Sequence, residues 1–214
     1  MLKKAGLLFA SLLWLAPLGF SQYNKIDVAV SGGPFFSKDV QGNNVAQSTT
    51  VAGEGFLTLR YRFTAKSSAE FNYGRAGNSQ IYSTAFDYRI QSKISEYSAA
   101  YVFSPIETRN LEVFLLGGIG GLKFNPYREF IQTIQEPVSG NSTTQLAFIY
   151  GGGVDYKIFS KIPFVSRVPF SSRFALRLQY RGFIYKAPSF DIPGIDTAAR
   201  GHSAEPSVGL VFKF

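Results

Sequence analysis

The chain ends with Glu205-Pro206-Ser207-Val208-Gly209-Leu210-Val211-Phe212-Lys213-Phe214. Alternate positions of this stretch differ in polarity, because one set is apolar through the final residue and the other set includes Glu205 and Lys213. Successive side chains of a β-strand point to opposite faces. A strand with one apolar face and one mixed, charged face suits a sheet between lipid and a polar interior. The stretch therefore predicts one strand in the wall of a transmembrane β-barrel.

The composition agrees with a chain made of strands. Aromatic residues make up 16% of the 214 residues, and there are 21 glycines. Aromatic residues favour strands, and glycine serves turns and close sheet packing. After the first 21 residues, no segment approaches the 18 consecutive apolar residues that a membrane-spanning helix needs. A membrane location would therefore depend on strands, and the length suits one domain.

The beginning of the chain has the pattern of a signal peptide. Lys3 and Lys4 precede an uncharged segment, and small residues follow at a plausible cleavage site after Ser21. We therefore predict a signal peptide over residues 1–21 and a barrel domain over residues 22–214, with a buried N-terminal helix as the alternative for the first segment. The chain has no cysteine, which excludes disulfides, thiol chemistry and a lipoprotein anchor.

Eight segments show the alternation of a half-buried strand. The most regular lies at residues 51–63, where apolar and polar residues alternate strictly. The predicted strands are residues 25–33, 51–63, 68–75, 92–104, 111–124, 143–158, 173–185 and 202–214. The predicted fold class is all-β, an eight-stranded antiparallel up-and-down transmembrane β-barrel.

An even number of strands places both termini on one side of the membrane. With that side periplasmic, four long connections face outward and the short ones face the periplasm, as in bacterial barrels. The outward connections are residues 37–50, 77–91, 125–142 and 186–201, and residues 77–91 could instead continue both flanking strands above the membrane. Two periplasmic connections are short, and the third, residues 159–172, is longer than this pattern predicts.

Charged residues provide an independent indication of a polar barrel interior. The polar faces of the predicted strands carry seven acids and seven bases. The acids are Asp27, Glu54, Glu70, Glu96, Glu112, Asp155 and Glu205, and the bases are Arg60, Arg62, Lys157, Arg173, Arg177, Arg181 and Lys213. An eight-stranded barrel is filled by its own side chains, and charges buried there must be paired. We therefore predict an interior ion-pair network that includes Glu54, Arg60, Arg62, Glu70, Glu96, Asp155, Arg177 and Arg181.

The opposite faces carry charge only near strand ends, at Lys25, Arg75, Lys93 and Lys123. This distribution fits a lipid-facing surface, because a base at the bilayer midplane costs about 2–4 kcal/mol. Two soluble folds remain as alternatives, a lipocalin-type barrel and a β-sandwich. The sandwich would bury the same apolar faces, and alternation alone does not exclude it.

The pattern resembles a known family. Gly151-Gly152-Gly153-Val154-Asp155-Tyr156, Leu176-Arg177-Leu178-Gln179-Tyr180 and the final strand look like strands of the small OmpA-like or OmpX-like outer-membrane barrels. The resemblance implies a location in the bacterial outer membrane. It also implies that the barrel-assembly machinery reads the terminal aromatic strand. That role is carried over to Val208, Leu210, Phe212 and Phe214.

Lipid A deacylases are also eight-stranded outer-membrane barrels, and they use serine, histidine and an acid. The only histidine here, His202, directly precedes Ser203, with Glu205 nearby. Neighbouring strand residues point to opposite faces, so His202 and Ser203 diverge unless a bulge intervenes. We therefore predict no catalytic residues. No group of acids and histidine has metal-ligand spacing, and we predict no metal site and no cofactor.

The sequence thus favours a non-enzymatic outer-membrane barrel whose outward loops carry any binding role. Removal of Lys3 and Lys4 with the predicted signal peptide lowers the net charge from +8 to +6. The expected partners are outer-membrane lipid and lipopolysaccharide, because this positive charge attracts anionic headgroups and an exported barrel would not meet nucleic acid. The loops indicate no particular surface ligand. The alternative is a small pore or carrier lined by Arg177 and Arg181, and lipid hydrolysis is the third hypothesis.

Overall fold

The protein is described by a computed structural model that covers residues 25–83, 87–132, 134–157, 173–192 and 194–214. Residues 1–21, the predicted signal peptide, and the predicted connection 159–172 lie outside the described residues. Within the described residues, no helix is both long and apolar enough to cross a membrane.

Eight long strands pair in sequence order, and the last pairs with the first, so the antiparallel sheet closes into a barrel. They are β1 (Ile26–Ser37), β2 (Ala52–Arg62), β3 (Ser67–Ser83), β4 (Asp87–Glu107), β5 (Leu111–Ile131), β6 (Thr143–Tyr156), β7 (Phe174–Lys186) and β8 (Arg200–Lys213). Three short strands, Val40–Gly42, Val45–Thr49 and Ile134–Glu136, extend the sheet at the outer end.

The two faces of the barrel wall have the predicted polarity. The side chains of Arg60, Arg177 and Arg181 are 0% exposed and point into the barrel, whereas Leu57 and Val208 are 44% and 53% exposed on its outside. The barrel is therefore polar inside and apolar outside. This arrangement contradicts the lipocalin-type alternative, which requires the reverse.

The middle strands are longer than predicted. β3, β4 and β5 have 17, 21 and 21 residues, and the predicted outward loop at residues 77–91 forms paired strand up to Ser83 and Asp87. At a rise of about 3.4 Å per residue and a tilt of about 40°, 21 residues exceed the apolar band of about 25 Å. The predicted strand bounds at residues 75, 92 and 124 are too short, because residues above a membrane become polar without leaving the sheet. The expectation that residues 77–91 continue both flanking strands is confirmed.

The glycine-rich part of β5 lies where strands approach closely. A Cβ atom at Gly118 would overlap the carbonyl oxygen of Ala99 on β4, so a larger residue would push the two strands apart. This contact agrees with the use of glycine where neighbouring strands pack closely.

Candidate functional site

The interior of the barrel contains its most concentrated set of charges. On the periplasmic half, Arg60 donates to Glu70 through Nε at 3.0 Å and Nη2 at 2.7 Å. Arg177 donates to Asp155 through Nε at 2.7 Å and Nη2 at 2.9 Å. The Arg177 pair joins two nitrogens to two oxygens, the geometry that suits the planar guanidinium, whereas both Arg60 nitrogens donate to the single oxygen Oε2 of Glu70. Arg177 Nη1 also lies 3.6 Å from Glu70, so the two pairs form one cluster.

A second group of charges lies nearer the periplasmic mouth. Glu112 accepts from Arg62 at 2.6 Å and from Lys213 at 2.7 Å, and Arg62 also donates to Asp27 at 2.7 Å. Lys213 Nζ lies 3.5 Å from Asp155, which connects this group to the cluster above it. Glu112 thus holds cations from β2 and β8 together across the lumen.

A third group lies on the outer side of the first. Arg181 donates to both oxygens of Glu96 at 2.9 and 2.8 Å and to both oxygens of Glu205 at 2.8 Å. Glu54 lies beside them, and one carboxylate oxygen of each of the three acids falls within 4.8 Å of the others. The guanidinium already neutralises part of this charge, and Glu54 Oε2 has no hydrogen-bond partner in the described residues.

Polar side chains connect the inner groups. Thr58 donates to Asn72 at 2.6 Å, and the Asn72 amide donates to Glu70 at 3.1 Å and to Ser98 at 3.3 Å. Ser98 in turn donates to Glu96 at 2.7 Å. The hydrogen-bonded network therefore continues from the mouth to the middle of the barrel.

Two phenylalanines on the polar faces support the arginines. The guanidinium carbons of Arg60 and Arg177 lie 4.2 and 5.0 Å from the ring centroid of Phe114, and that of Arg181 lies 4.0 Å from the ring of Phe56. These are cation–π distances. The sequence analysis missed both rings because it considered only the charged residues on these faces.

The predicted equality of interior charges is wrong in detail. All seven acids are buried, but three of the seven bases, Arg62, Lys157 and Arg173, are only partly buried. Lys157 lines a cavity of about 490 Å³ at the periplasmic mouth. Burial lowers the pKa of Lys157, and the nearby Lys213 acts in the same direction. Parity predicts the face of a residue, but it does not predict its depth in the barrel.

Aromatic and aliphatic residues fill the outer end of the barrel. Phe124 contacts Tyr185 and Phe190 with ring centroids 6.0 and 6.5 Å apart, and Phe35 contacts Phe183 at 6.2 Å. All five side chains are buried in one apolar cluster. We call these five residues the outer seal.

The connection after β7 contributes to the outer seal. Tyr82 on β3 donates to the carbonyl oxygen of Pro188 at 2.7 Å, and the Asn141 N–H donates to that of Phe190 at 3.0 Å. These bonds hold the connection over the barrel mouth with Phe190 inside. Phe190 lies within the predicted outward loop 186–201, but its ring is 0% exposed and packs inside the barrel, which no pattern in the loop predicts.

The candidate hydrolase residues lie on different faces. His202 faces outward and shares a hydrogen bond of 2.6 Å between its Nε2 and Tyr150 Oη. Ser203 points inward, where its hydroxyl lies 2.8 Å from those of Ser37 and Tyr185. No bulge brings the two together, because β7 and β8 pair in continuous register there. Ser203 is therefore out of reach of the histidine.

The side chains of the final strand follow the predicted parity. Val208 and Leu210 are exposed on the outer face. The rings of Phe212 and Phe214 lie 4.6 Å apart, and Phe212 lies 4.8 Å from Phe174 on β7. The periplasmic end of this wall therefore carries a group of aromatic rings, as at the interface of a membrane barrel.

Comparison with known proteins identifies the fold. No protein-family model and no curated protein matches the sequence. Among solved structures, the chain is similar to Neisserial surface protein A, with a TM-score of 0.55 and 14% identity over 88% of this chain and 97% of that one. It is also similar to the outer membrane protein OprG from Pseudomonas aeruginosa, with a TM-score of 0.53 and 13% identity over 90% of this chain and 97% of that one.

The protein therefore has the fold of the small eight-stranded outer-membrane β-barrels. The predicted fold class and the resemblance to these barrels are both confirmed. A barrel of this class, with an apolar outer wall, belongs in the bacterial outer membrane.

Proposed function

We propose that the protein is a non-enzymatic integral outer-membrane protein whose barrel is a closed scaffold and whose outer extension carries the binding role. The observation that carries this proposal is the filled lumen. Arg60, Arg177 and Arg181 are fully buried in the ion-pair network, and the outer seal covers them. A barrel whose lumen is filled from the ion-pair network to the outer seal leaves the parts above the membrane available for interaction. β3, β4, β5 and the short strands beside them provide that surface.

The absence of conduction is the first expected result. We expect the folded protein to produce no stable current in planar bilayers, because ions would have to displace both the outer seal and the paired arginines. A larger porin in the same chamber provides the positive control. A stable current that Arg177→Ala or Arg181→Ala alters would contradict the closed scaffold and support the small pore or carrier.

The terminal aromatic strand is proposed to be the signal for the barrel-assembly machinery. We expect wild-type protein in outer-membrane fractions to show the heat-modified gel shift of a folded barrel, and Phe214→Ala to reduce its amount. Purified Phe214→Ala should still fold in detergent, since Phe214 is only partly buried. The matched control is Phe63→Ala, because Phe63 is an exposed aromatic residue at the same end of the barrel.

Two outcomes would contradict this part of the proposal. Equal losses for Phe214→Ala and Phe63→Ala would indicate a general role of interfacial aromatics instead of a terminal signal. A soluble periplasmic pool of the wild-type protein would contradict the membrane location itself.

A further inference from the structure

Four basic side chains lie together on the outside of the barrel wall, towards its outer end. The strand register places them in successive outward rows across β3, β4 and β5. The first row consists of Arg75, Ser95 and Lys123, which are paired across the three strands. The next row towards the outer end contains Lys93. The third row contains Arg128, opposite Gln91. Rows of one face are separated by two residues, which is about 7 Å. We call Arg75, Lys93, Lys123 and Arg128 the outer basic patch.

These four cations differ from the cations inside the barrel. All four are exposed, and within the described residues none forms an ion pair, whereas Arg60, Arg62, Arg177, Arg181 and Lys213 all do. The outward positions of the same rows also carry no acid. Two acids on neighbouring strand segments, Glu96 and Glu129, are buried and accept from Arg181 and Ser139. A third, the exposed Glu136, lies opposite Glu129 in the strand register and outside the outward rows of the patch. The patch is therefore a local excess of positive charge.

Tyrosines hold the patch against the wall. Arg75 Nε donates to Tyr73 Oη at 2.6 Å. The two terminal nitrogens of the guanidinium take no part in this bond and are available to a ligand. The Nζ of Lys93 and the Cζ of Arg128 lie 5.4 and 5.9 Å from the ring centroid of Tyr127. These contacts orient the long side chains, so the side chains lose less conformational entropy when a ligand binds.

The height of the patch corresponds to the outer membrane interface. Arg75 lies eight residues above the start of β3 at Ser67, and Lys123 lies twelve above the start of β5 at Leu111. At a tilt of about 40°, these separations correspond to roughly 20 and 30 Å, against an apolar band of about 25 Å. The row just below contains Tyr73 and Tyr97, whose ring centroids are 5.1 Å apart. Tyrosine is typical of the interface between lipid tails and headgroups.

We propose that the outer basic patch binds the phosphate groups of a phosphorylated glycolipid in the outer leaflet, with the acyl chains lying against the apolar wall below. The patch is continuous with the lipid-facing surface, so its partner must share the plane of the membrane. Guanidinium and ammonium groups are the donors that bind phosphate oxygens. This inference rests on the proposed membrane location, and it assigns the expected lipopolysaccharide contact to one side of the barrel.

The test compares two variants that each remove three exposed charges. Arg75→Gln/Lys93→Gln/Lys123→Gln removes three of the four patch cations and leaves Arg128, and Lys25→Gln/Lys66→Gln/Arg109→Gln removes one arginine and two lysines at the periplasmic end. Binding of bisphosphorylated lipid A and of the same lipid without phosphates is titrated by native mass spectrometry, on protein folded in neutral detergent. The heat-modified gel shift checks folding, and Lys93→Gln alone is the second variant if the triple variant does not fold.

We expect the wild-type protein to prefer the bisphosphorylated lipid and the patch variant to bind it roughly tenfold more weakly or worse, since each base near an anionic lipid surface strengthens binding several-fold. The periplasmic variant should bind like the wild type. Equal weakening of both triple variants, or equal affinity for the two lipids, would overturn the inference. Displacement of the lipid by stoichiometric inorganic phosphate would also overturn it, because it would indicate a site for free phosphate.

These outcomes are distinct from failure of the proposed function. A barrel that folds in detergent but does not bind the phosphorylated lipid would overturn only the patch assignment. A protein that stays folded and dissolved in buffer without detergent would overturn the membrane location.

Discussion

Replacing Arg60 with methionine is expected to lower the free energy of unfolding by about 3–5 kcal/mol, the cost of removing one partner of a buried ion pair. Arg60 is fully buried and donates two hydrogen bonds to one oxygen of Glu70, and its Nη1 lies 3.5 Å from Glu112. Methionine fills part of the volume of the arginine side chain, but it leaves the Glu70 carboxylate without its closest cation. Urea unfolding of the protein in lipid vesicles, followed by the heat-modified gel shift, measures the loss.

Two controls separate the ion pair from other effects. Arg75→Met makes the same substitution at an exposed, outward position and should change the stability little. The double variant Arg60→Met/Glu70→Gln should lose less than the sum of the two single variants, because it removes the unpaired carboxylate as well. Additive losses, or equal losses at Arg60 and Arg75, would contradict a paired interior.

Leu59→Arg is expected to destabilise the folded barrel in a bilayer by about 2–4 kcal/mol. Leu59 is 47% exposed on the outer face of β2, between Val28 of β1 and Phe71 of β3 in the register. It lies four residues above the periplasmic turn at Phe63, about 10 Å into an apolar band of about 25 Å. An arginine there would have to leave water for hydrocarbon. The same vesicle unfolding experiment measures the effect.

Ala65→Arg is the matched control for this prediction. Ala65 lies exposed in the turn between β2 and β3, where water solvates an added guanidinium. Its substitution should therefore have little effect on stability. A soluble barrel would tolerate arginine at both positions, so equal stability of Leu59→Arg and Ala65→Arg would contradict the lipid-facing assignment of this wall.

The interior ion-pair network could be predicted only in part, because its members lie far apart along the chain. Equal numbers of acids and bases indicated that the interior is paired, but not which side chains meet. Arg181 pairs with Glu96, 85 residues away, and Arg62 pairs with Glu112, 50 residues away. Such pairs depend on the stagger of the strands and on the depth of each residue. Neither is written in the alternation of a single strand.

The outer basic patch, on the outward face of the wall, also could not be predicted as a group. The sequence marked Arg75, Lys93 and Lys123 as charges near strand ends on the apolar parity, which suits an interface. It did not indicate that they are neighbours. Pairing of β3 with β4 and of β4 with β5 brings them together, and a bulge between Gln91 and Ser92 aligns Arg128 with the same face.

The sequence by itself determined the class of fold and the polarity of its two faces. Strand geometry is local, since each side chain points opposite to its neighbour, and a stretch such as Phe212-Lys213-Phe214 displays both faces directly. The tertiary structure alone decided how the lumen is closed. Phe190 lies in a connection without a periodic pattern, and only the contacts with Phe124 and the hydrogen bond from Asn141 place it inside the barrel. Burial of that ring is a long-range packing event, so no short segment of the chain predicts it.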